Sequence, residues 1–228
     1  FSEPIIDGRP IAKSGNSLLF RLDLEDGRRA VLKCYPDLQS DPRDRLGTEF
    51  AACRFLAQNG LGLAPDAICK SAELNIGMYE WVEGDLVEQP RRAEIETACT
   101  FVRQLWQMRH CEGADEFGEA SEACLCPGSI EQQVNRRLQK LEVAKGLFPE
   151  LREFLDGPLA GLYAQVLDFT KPYRQGGFYD TPLPKEQQTL SPSDFGFHNA
   201  LARPDGSLCF LDLEYFGWDD PVKLICDF

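Results

Sequence analysis

Apolar and polar side chains alternate through residues 11–35 around two turn signals, Ser14-Gly15-Asn16 and Glu25-Asp26-Gly27. A period of two puts every second side chain on one face of a pleated ribbon, so this stretch predicts three antiparallel strands. After Asp41-Pro42 the period lengthens: Leu46, Phe50, Cys53 and Phe55 fall near one face of a helix that Asn59-Gly60 closes, with Asp44 as an exposed helix acid. Residues 67–71 and 76–82 read as two more strands, bounded by Glu83-Gly84. Beyond Pro90 apolar residues recur three and four apart in 93–110, 130–145 and 151–170, predicting three helices. Residues 112–122 hold five acids, no base and two glycines, which predicts a solvated loop. Residues 173–189, rich in Gly, Pro and Gln, predict another. Short strand-like pieces return at 200–202 and 208–213, joined by the turn Pro204-Asp205-Gly206.

The 228 residues suffice for one large domain or two small lobes, and the 43% apolar share supplies a core. Against 24 Lys+Arg stand 37 Asp+Glu, a formal charge of −13, so the long-range field repels phosphate backbones and anionic lipid. Nucleic acid and membrane are therefore not expected partners. The chain has no apolar run of spanning length and no secretion signal, which points to the cytosol. Its nine cysteines, several in apolar stretches, read as reduced thiols, and His110, Cys111, Cys124 and Cys126 fit no standard zinc spacing. Beginning at Phe1 and stopping at Phe228 inside an apolar stretch, the sequence reads as a piece of a longer protein.

Chemistry concentrates near the end of the chain. Asp194 is followed five residues later by Asn199 and eighteen residues later by Asp212, at the end of an apolar strand. Phosphoryl transfer needs such a set: a carboxylate that accepts the hydroxyl proton, and an amide oxygen and second carboxylate that hold magnesium on a triphosphate. Asp194 is the candidate base, and Asn199 and Asp212 are the candidate metal ligands. Each alone is equally a turn carboxylate or a capping amide; their joint spacing sets them apart. The letters Asp194-Phe195-Gly196 imitate the metal-binding turn of protein kinases, but no Asp with an Asn five residues on precedes them at the needed distance.

Upstream, Ala30-Val31-Leu32-Lys33 ends the third predicted strand with a lysine, the arrangement in which an ammonium meets the α- and β-phosphates. Glu49, sixteen residues on and inside the predicted helix, is placed to reach back to it. The turn at Gly15, Asn16 and Ser17 could lay backbone N–H groups over phosphates. Where the fifth strand leaves the sheet, the carbonyl of Glu80 and the N–H of Val82 could pair with an adenine edge.

This ordered series resembles the aminoglycoside phosphotransferase and choline kinase superfamily over roughly residues 11–228. Leu211-Asp-Leu-Glu-Tyr-Phe-Gly-Trp-Asp-Asp-Pro221 is similar to the I-D-[FW]-E-Y-A-G-x-x-D-P signature, most familiar from the choline and ethanolamine kinase branch. The resemblance implies an α+β, bilobal, protein-kinase-like fold: an N-lobe over 1–83, with a small antiparallel sheet and one helix, and a mostly helical C-lobe over 84–228. It implies ATP and Mg2+ as cofactors and a small-molecule hydroxyl as acceptor. The chain departs from the family's H-G-D-x-H-x-x-N, with Pro192 and Ser193 before Asp194 and Gly196 in place of the second histidine. Leu224 stands where the family tends to place an aspartate, with Asp227 further on. Sixteen residues follow Asp212, too few for the helices that usually close an acceptor pocket, so either the C-terminal end is truncated or helices within 91–172 build it.

Acids at Glu80, Glu83, Asp85 and Glu88, and at Asp212, Glu214, Asp219 and Asp220, lean toward a cationic acceptor such as an amino alcohol or amino sugar. Tyr215, Phe216 and Trp218 could line a cation–π box there, or simply pack the hairpin. The departures at Pro192, Ser193 and Gly196 keep a second reading open, a pseudokinase-like module that binds nucleotide or a partner without turnover. A protein kinase is disfavoured, because no activation segment separates Asp212 from Gly217–Pro221.

Overall fold

The computed structural model of the chain describes residues 3–14, 17–39 and 41–228. Its N-terminal part is an antiparallel sheet in the order β1-β2-β3-β5-β4. The strands are β1 (Ile5–Ser14), β2 (Ser17–Leu24), β3 (Arg29–Cys34), β4 (Ala67–Ser71) and β5 (Ile76–Glu80). The alternation predicted this arrangement but not the early start of β1 at Ile5. That segment carries Gly8 and Pro10 and shows two register shifts, which an edge strand tolerates. Leu22, Leu24, Ala30 and Met78 are buried together, whereas Tyr79, which faces the other way from Met78, joins the main core.

Helix α1 (Arg45–Gln58) packs against β4 and β5 and contributes Leu46, Phe50, Cys53, Phe55 and Leu56 to that core. Full burial of each such side chain is worth about 1.5–3 kcal/mol. The helix begins later than Asp41-Pro42 suggests because Asp44, exposed as expected, is its N-cap and not a residue within it: its carboxylate accepts from the Gly47 N–H at 2.8 Å. Asn59 caps the C-terminus, as predicted.

Two short strands, β6 (Asp85–Leu86) and β8 (Ala200–Ala202), form a three-stranded sheet with β9 (Leu208–Phe210). Helix α2 (Arg92–Met108) buries Phe101 and Leu105 completely, and the Phe101 ring stacks 4.6 Å from Phe210. β7 (Thr189–Ser191) pairs with β10 (Gly217–Asp219), and α6 (Pro221–Asp227) follows, with Leu224 fully buried. The acidic stretch 112–122 keeps its acids at the surface, as expected of a solvated loop, but is anchored by the residues between them. Ala114 and Ala120 are buried, Trp218 N–H donates to the Gly118 carbonyl, and Ala120 N–H donates to the Trp218 carbonyl, both at 2.9 Å.

All of these elements belong to one compact unit, residues 1–122 with 189–228; residues 123–188 form a second. The second unit contains α3 (Pro127–Glu142), α4 (Pro149–Phe154) and α5 (Ala160–Arg174). The single helix expected over 151–170 is interrupted by a π-helical turn, Leu155–Leu159. Pro158 lies inside it, and a residue that offers no N–H and crowds the preceding turn forces the ladder to widen. Within this unit Arg174 and the Tyr179 hydroxyl both donate to Glu131, at 2.7 and 2.8 Å. Among the described residues no helix is long and apolar enough to cross a membrane.

Candidate active site

Lys33 lies near the end of β3, opposite Leu19 and Gly77, with only 7% of its surface exposed. Its ammonium meets carboxylates from two distant parts of the chain: Glu49 Oε2 at 2.7 Å and Asp212 Oδ1 at 2.5 Å, the latter 179 residues away in sequence. Glu214 Oε2 lies at 3.0 Å, an ion pair without hydrogen-bond alignment. Burial alone would push the Lys33 ammonium toward its neutral form, but the field of Glu49, Asp212 and Glu214 outweighs it and raises the pKa. Burial likewise raises the Glu49 carboxyl, against the opposing pull of Lys33. The Tyr35 hydroxyl donates to Glu49 Oε2 at 2.6 Å, so the Tyr79 hydroxyl, also at 2.6 Å, must donate to Tyr35.

Asp212 sits two residues beyond β9 rather than within a strand, with a left-handed backbone (φ 62°) that costs a non-glycine residue about 1–2 kcal/mol. The turn sends Leu213 into the core while Asp212 and Glu214 both face Lys33. Glu214 is held from its other side by Arg45, which also pairs with Asp41. The Arg43 and Arg45 guanidiniums lie 4.9 and 5.0 Å from the Tyr215 ring centroid. Of the two readings of these aromatics, packing holds for Phe216 and Trp218, 3% and 2% exposed within the core, and the chain's own arginines engage Tyr215. Glu214 is equally unavailable to attract a cationic acceptor.

Asp194 follows Ser193, another left-handed residue (φ 69°), whose N–H donates to Ser191 Oγ at 3.0 Å. Phe195 is buried between Phe101 and Phe210, whereas the Asp194 side chain is 53% exposed, so the loop anchors on one side chain and presents the next. Phe195 is thus a core residue. Asn199 Nδ2 donates to the Asp194 carbonyl at 3.0 Å and to Oδ2 at 3.3 Å, which leaves Asn199 Oδ1 as its ligand-capable atom. His198 Nε2 lies 3.2 Å from Asp194 Oδ1. The Leu211 N–H donates to the Asn199 carbonyl at 2.7 Å, tying the Asp194–Asn199 loop to the residue before Asp212.

Ligand oxygens of Glu49, Asp212 and Glu214 lie within 4.8 Å of one another, and the Lys33 ammonium occupies the space among them. Asp212 is the accessible member, its side chain 30% exposed against 7% and 5% for the other two. Gly15 and Asn16 fall outside the described residues, and Ser17 begins β2 with its side chain buried. The Glu80 N–H donates to the Asp66 carbonyl at 2.8 Å, and Val82 lies just beyond β5, half-buried. Spacing alone missed Glu214, Arg45 and Tyr35. The available signals were the two-residue step from Asp212 to Glu214 and the four-residue step from Arg45 to Glu49, which place charged pairs on one side of their elements.

No protein-family model and no curated protein matches the sequence. Solved structures do. A spectinomycin phosphotransferase in complex with ADP and spectinomycin aligns with a TM-score of 0.62 at 13% identity, over 96% of this chain and 67% of that one. An aminoglycoside phosphotransferase from Alicyclobacillus acidocaldarius aligns at 0.59 and 13% identity, over 98% and 68%. A choline/ethanolamine kinase family protein from Mesorhizobium loti aligns at 0.57 and 16% identity, over 97% and 62%. The chain therefore spans about two-thirds of the length of these neighbours, and it has the α+β, protein-kinase-like fold of the aminoglycoside phosphotransferases and choline/ethanolamine kinases.

Proposed function

We propose that the protein is an ATP- and Mg2+-dependent phosphotransferase acting on a hydroxyl of a small molecule. The observation that carries this reading is the Lys33–Asp212 contact at 2.5 Å, which joins a strand lysine to a distant carboxylate beside the Asp194–Asn199 loop. Residues 1–83 supply the nucleotide-binding part in this reading, and 84–228 the catalytic loop and metal-binding hairpin. Lys33 binds the α- and β-phosphates and Glu49 orients it. Asp212 and Asn199 Oδ1 hold Mg2+, which when bound offsets phosphate charge. Asp194, exposed and clamped by Asn199, accepts the proton of the attacking hydroxyl. Gly15, Asn16 and Ser17, and the backbone at Glu80 and Val82, are the proposed phosphate-loop and adenine contacts.

An amino alcohol or amino sugar is the acceptor class favoured. Its support is the acceptors named for the structural neighbours, together with the exposed acids Glu80, Asp85 and Glu88. The alternative, a module that binds nucleotide or a partner without turnover, is favoured by Pro192 and Gly196 in the loop around Asp194. ATP consumption with Mg2+ over a panel of alcohols, amino alcohols and amino sugars separates the two. Acceptor-dependent ADP release supports the transferase, and firm nucleotide binding with silence across the panel supports the module.

A further inference from the structure

The Asp194 carboxylate has a partner on each oxygen: Asn199 on Oδ2 and His198 on Oδ1. His198 reaches its oxygen by folding back over Gly196. A Cβ at position 196 would stand 2.6 Å from His198 Nδ1 and 2.7 Å from Cε1, closer than side-chain atoms approach one another. The space beside residue 196 is thus filled by the imidazole from two residues on, and the ring keeps its place only while 196 is glycine. The backbone φ at Gly196 is 175°, extended and open to any residue, so it is the imidazole that requires the missing side chain. His198 is 60% exposed by side chain and makes this contact without a packed core behind it, as a residue kept for what its nitrogen touches would.

We propose that His198 is a positioning residue for Asp194: with Nε2 against Oδ1, it fixes the carboxylate rotamer so that the other edge faces the incoming hydroxyl. This rests on the reading of Asp194 as the base and adds the group that orients it, the third member a well-held base requires. The inference also gives Gly196 a reason, as the residue whose absent side chain makes room for the ring.

The test has two arms. The first needs no turnover: the chain contains two histidines, so the imidazole signals of His198 and His110 can be separated by nuclear magnetic resonance at one fixed pH. Asp194→Asn and Gly196→Ala are each expected to shift the His198 ring signals and leave those of His110 in place. The second arm follows phosphate release from magnesium ATP with water as acceptor. His198→Ala is expected to lower kcat about tenfold with KM for ATP within about twofold, and His198→Gln, which keeps an N–H donor, to recover part of the loss. In an Asp194→Asn background His198→Ala should cost nothing further. His198 signals that ignore both substitutions overturn the proposal, as does wild-type kcat in His198→Ala or an equal loss in the Asp194→Asn background. A wild-type protein that releases no phosphate to water leaves the phosphotransferase reading to the acceptor panel, and the signals then decide the His198–Asp194 contact by themselves.

Discussion

Without Lys33, the carboxylates of Glu49, Asp212 and Glu214 would face one another, with Arg45 the one cation paired to them among the described residues. Removing one partner of a buried ion pair costs about 3–5 kcal/mol, because the remaining charges stay desolvated. Lys33→Met is therefore expected to lower the melting temperature by on the order of 10 °C, as read by calorimetry, in addition to weakening ATP contacts. A variant as stable as the wild type would show that the three carboxylates do not depend on it. Asp194→Asn belongs to the opposite class, since that side chain is exposed and anchored only by polar contacts. Its stability should hardly change, nucleotide affinity should persist, and turnover should fall by about 10²–10⁴. At this scale the meeting of Lys33 with Glu49 and Asp212, and of Asn199 with Asp194, was legible in the spacing of those residues. Glu214 and Tyr35 were not, because spacing says nothing about which neighbours a turn such as that at Asp212 rotates inward.

The strand β10 shows what a single contact does for an element. Gly217 meets Ser191 across the β7–β10 ladder, and a Cβ on it would stand 2.6 Å from the Gly118 carbonyl oxygen and the Ala120 nitrogen, both backbone. Backbone cannot swing aside as a flexible side chain can. Gly217→Ala is expected to cost about 1–3 kcal/mol, seen as a lower urea midpoint, and an unchanged midpoint would mean that the 118–120 segment is free to shift. This docking explains why the acidic stretch reads as a solvated loop in sequence yet is packed in the fold: five acids mask the buried Ala114 and Ala120. The five-stranded sheet was legible because alternation over five to ten residues is a strong signal. β7 and β10, three residues each, are too short to show a period. Pro158 in the 151–170 stretch was a visible breaker, and its consequence is the π-helical turn between α4 and α5.

At the scale of the molecule, buried groups hold their protons into alkali: the Cys53 and Cys209 thiols, raised by burial, from about pH 9, and three groups around Glu49 from about pH 10. Burial, with Glu49 alongside, raises the Tyr35 and Tyr79 phenols, and the surrounding carboxylates raise Lys33 in spite of burial. Above about pH 10 the unfolded chain releases these protons while the folded chain keeps them, so fewer protons are bound in the unfolded state and stability falls as pH rises. The loss approaches about 1.4 kcal/mol per pH unit for each group. Melting temperatures measured from pH 8 to 11 should bend downward near 10, and Tyr79→Phe should make the bend shallower by one group's share; an unchanged bend would place Tyr79 outside the network. The fold class was legible from the order of strand, helix and motif, and the structural neighbours share it. How the chain divides was not: residues 123–188 form a unit whose limits follow contacts that no composition shift marks.

In the proposed reaction Lys33, Asn199 and Asp212 bind a magnesium nucleotide beside Asp194. Calorimetric titration with ATP, with and without Mg2+, in the wild type and Asp212→Ala, tests it most directly. The account predicts binding that strengthens with magnesium in the wild type and loses that dependence in the variant. Binding indifferent to magnesium, or the same dependence once Asp212 is gone, would contradict it.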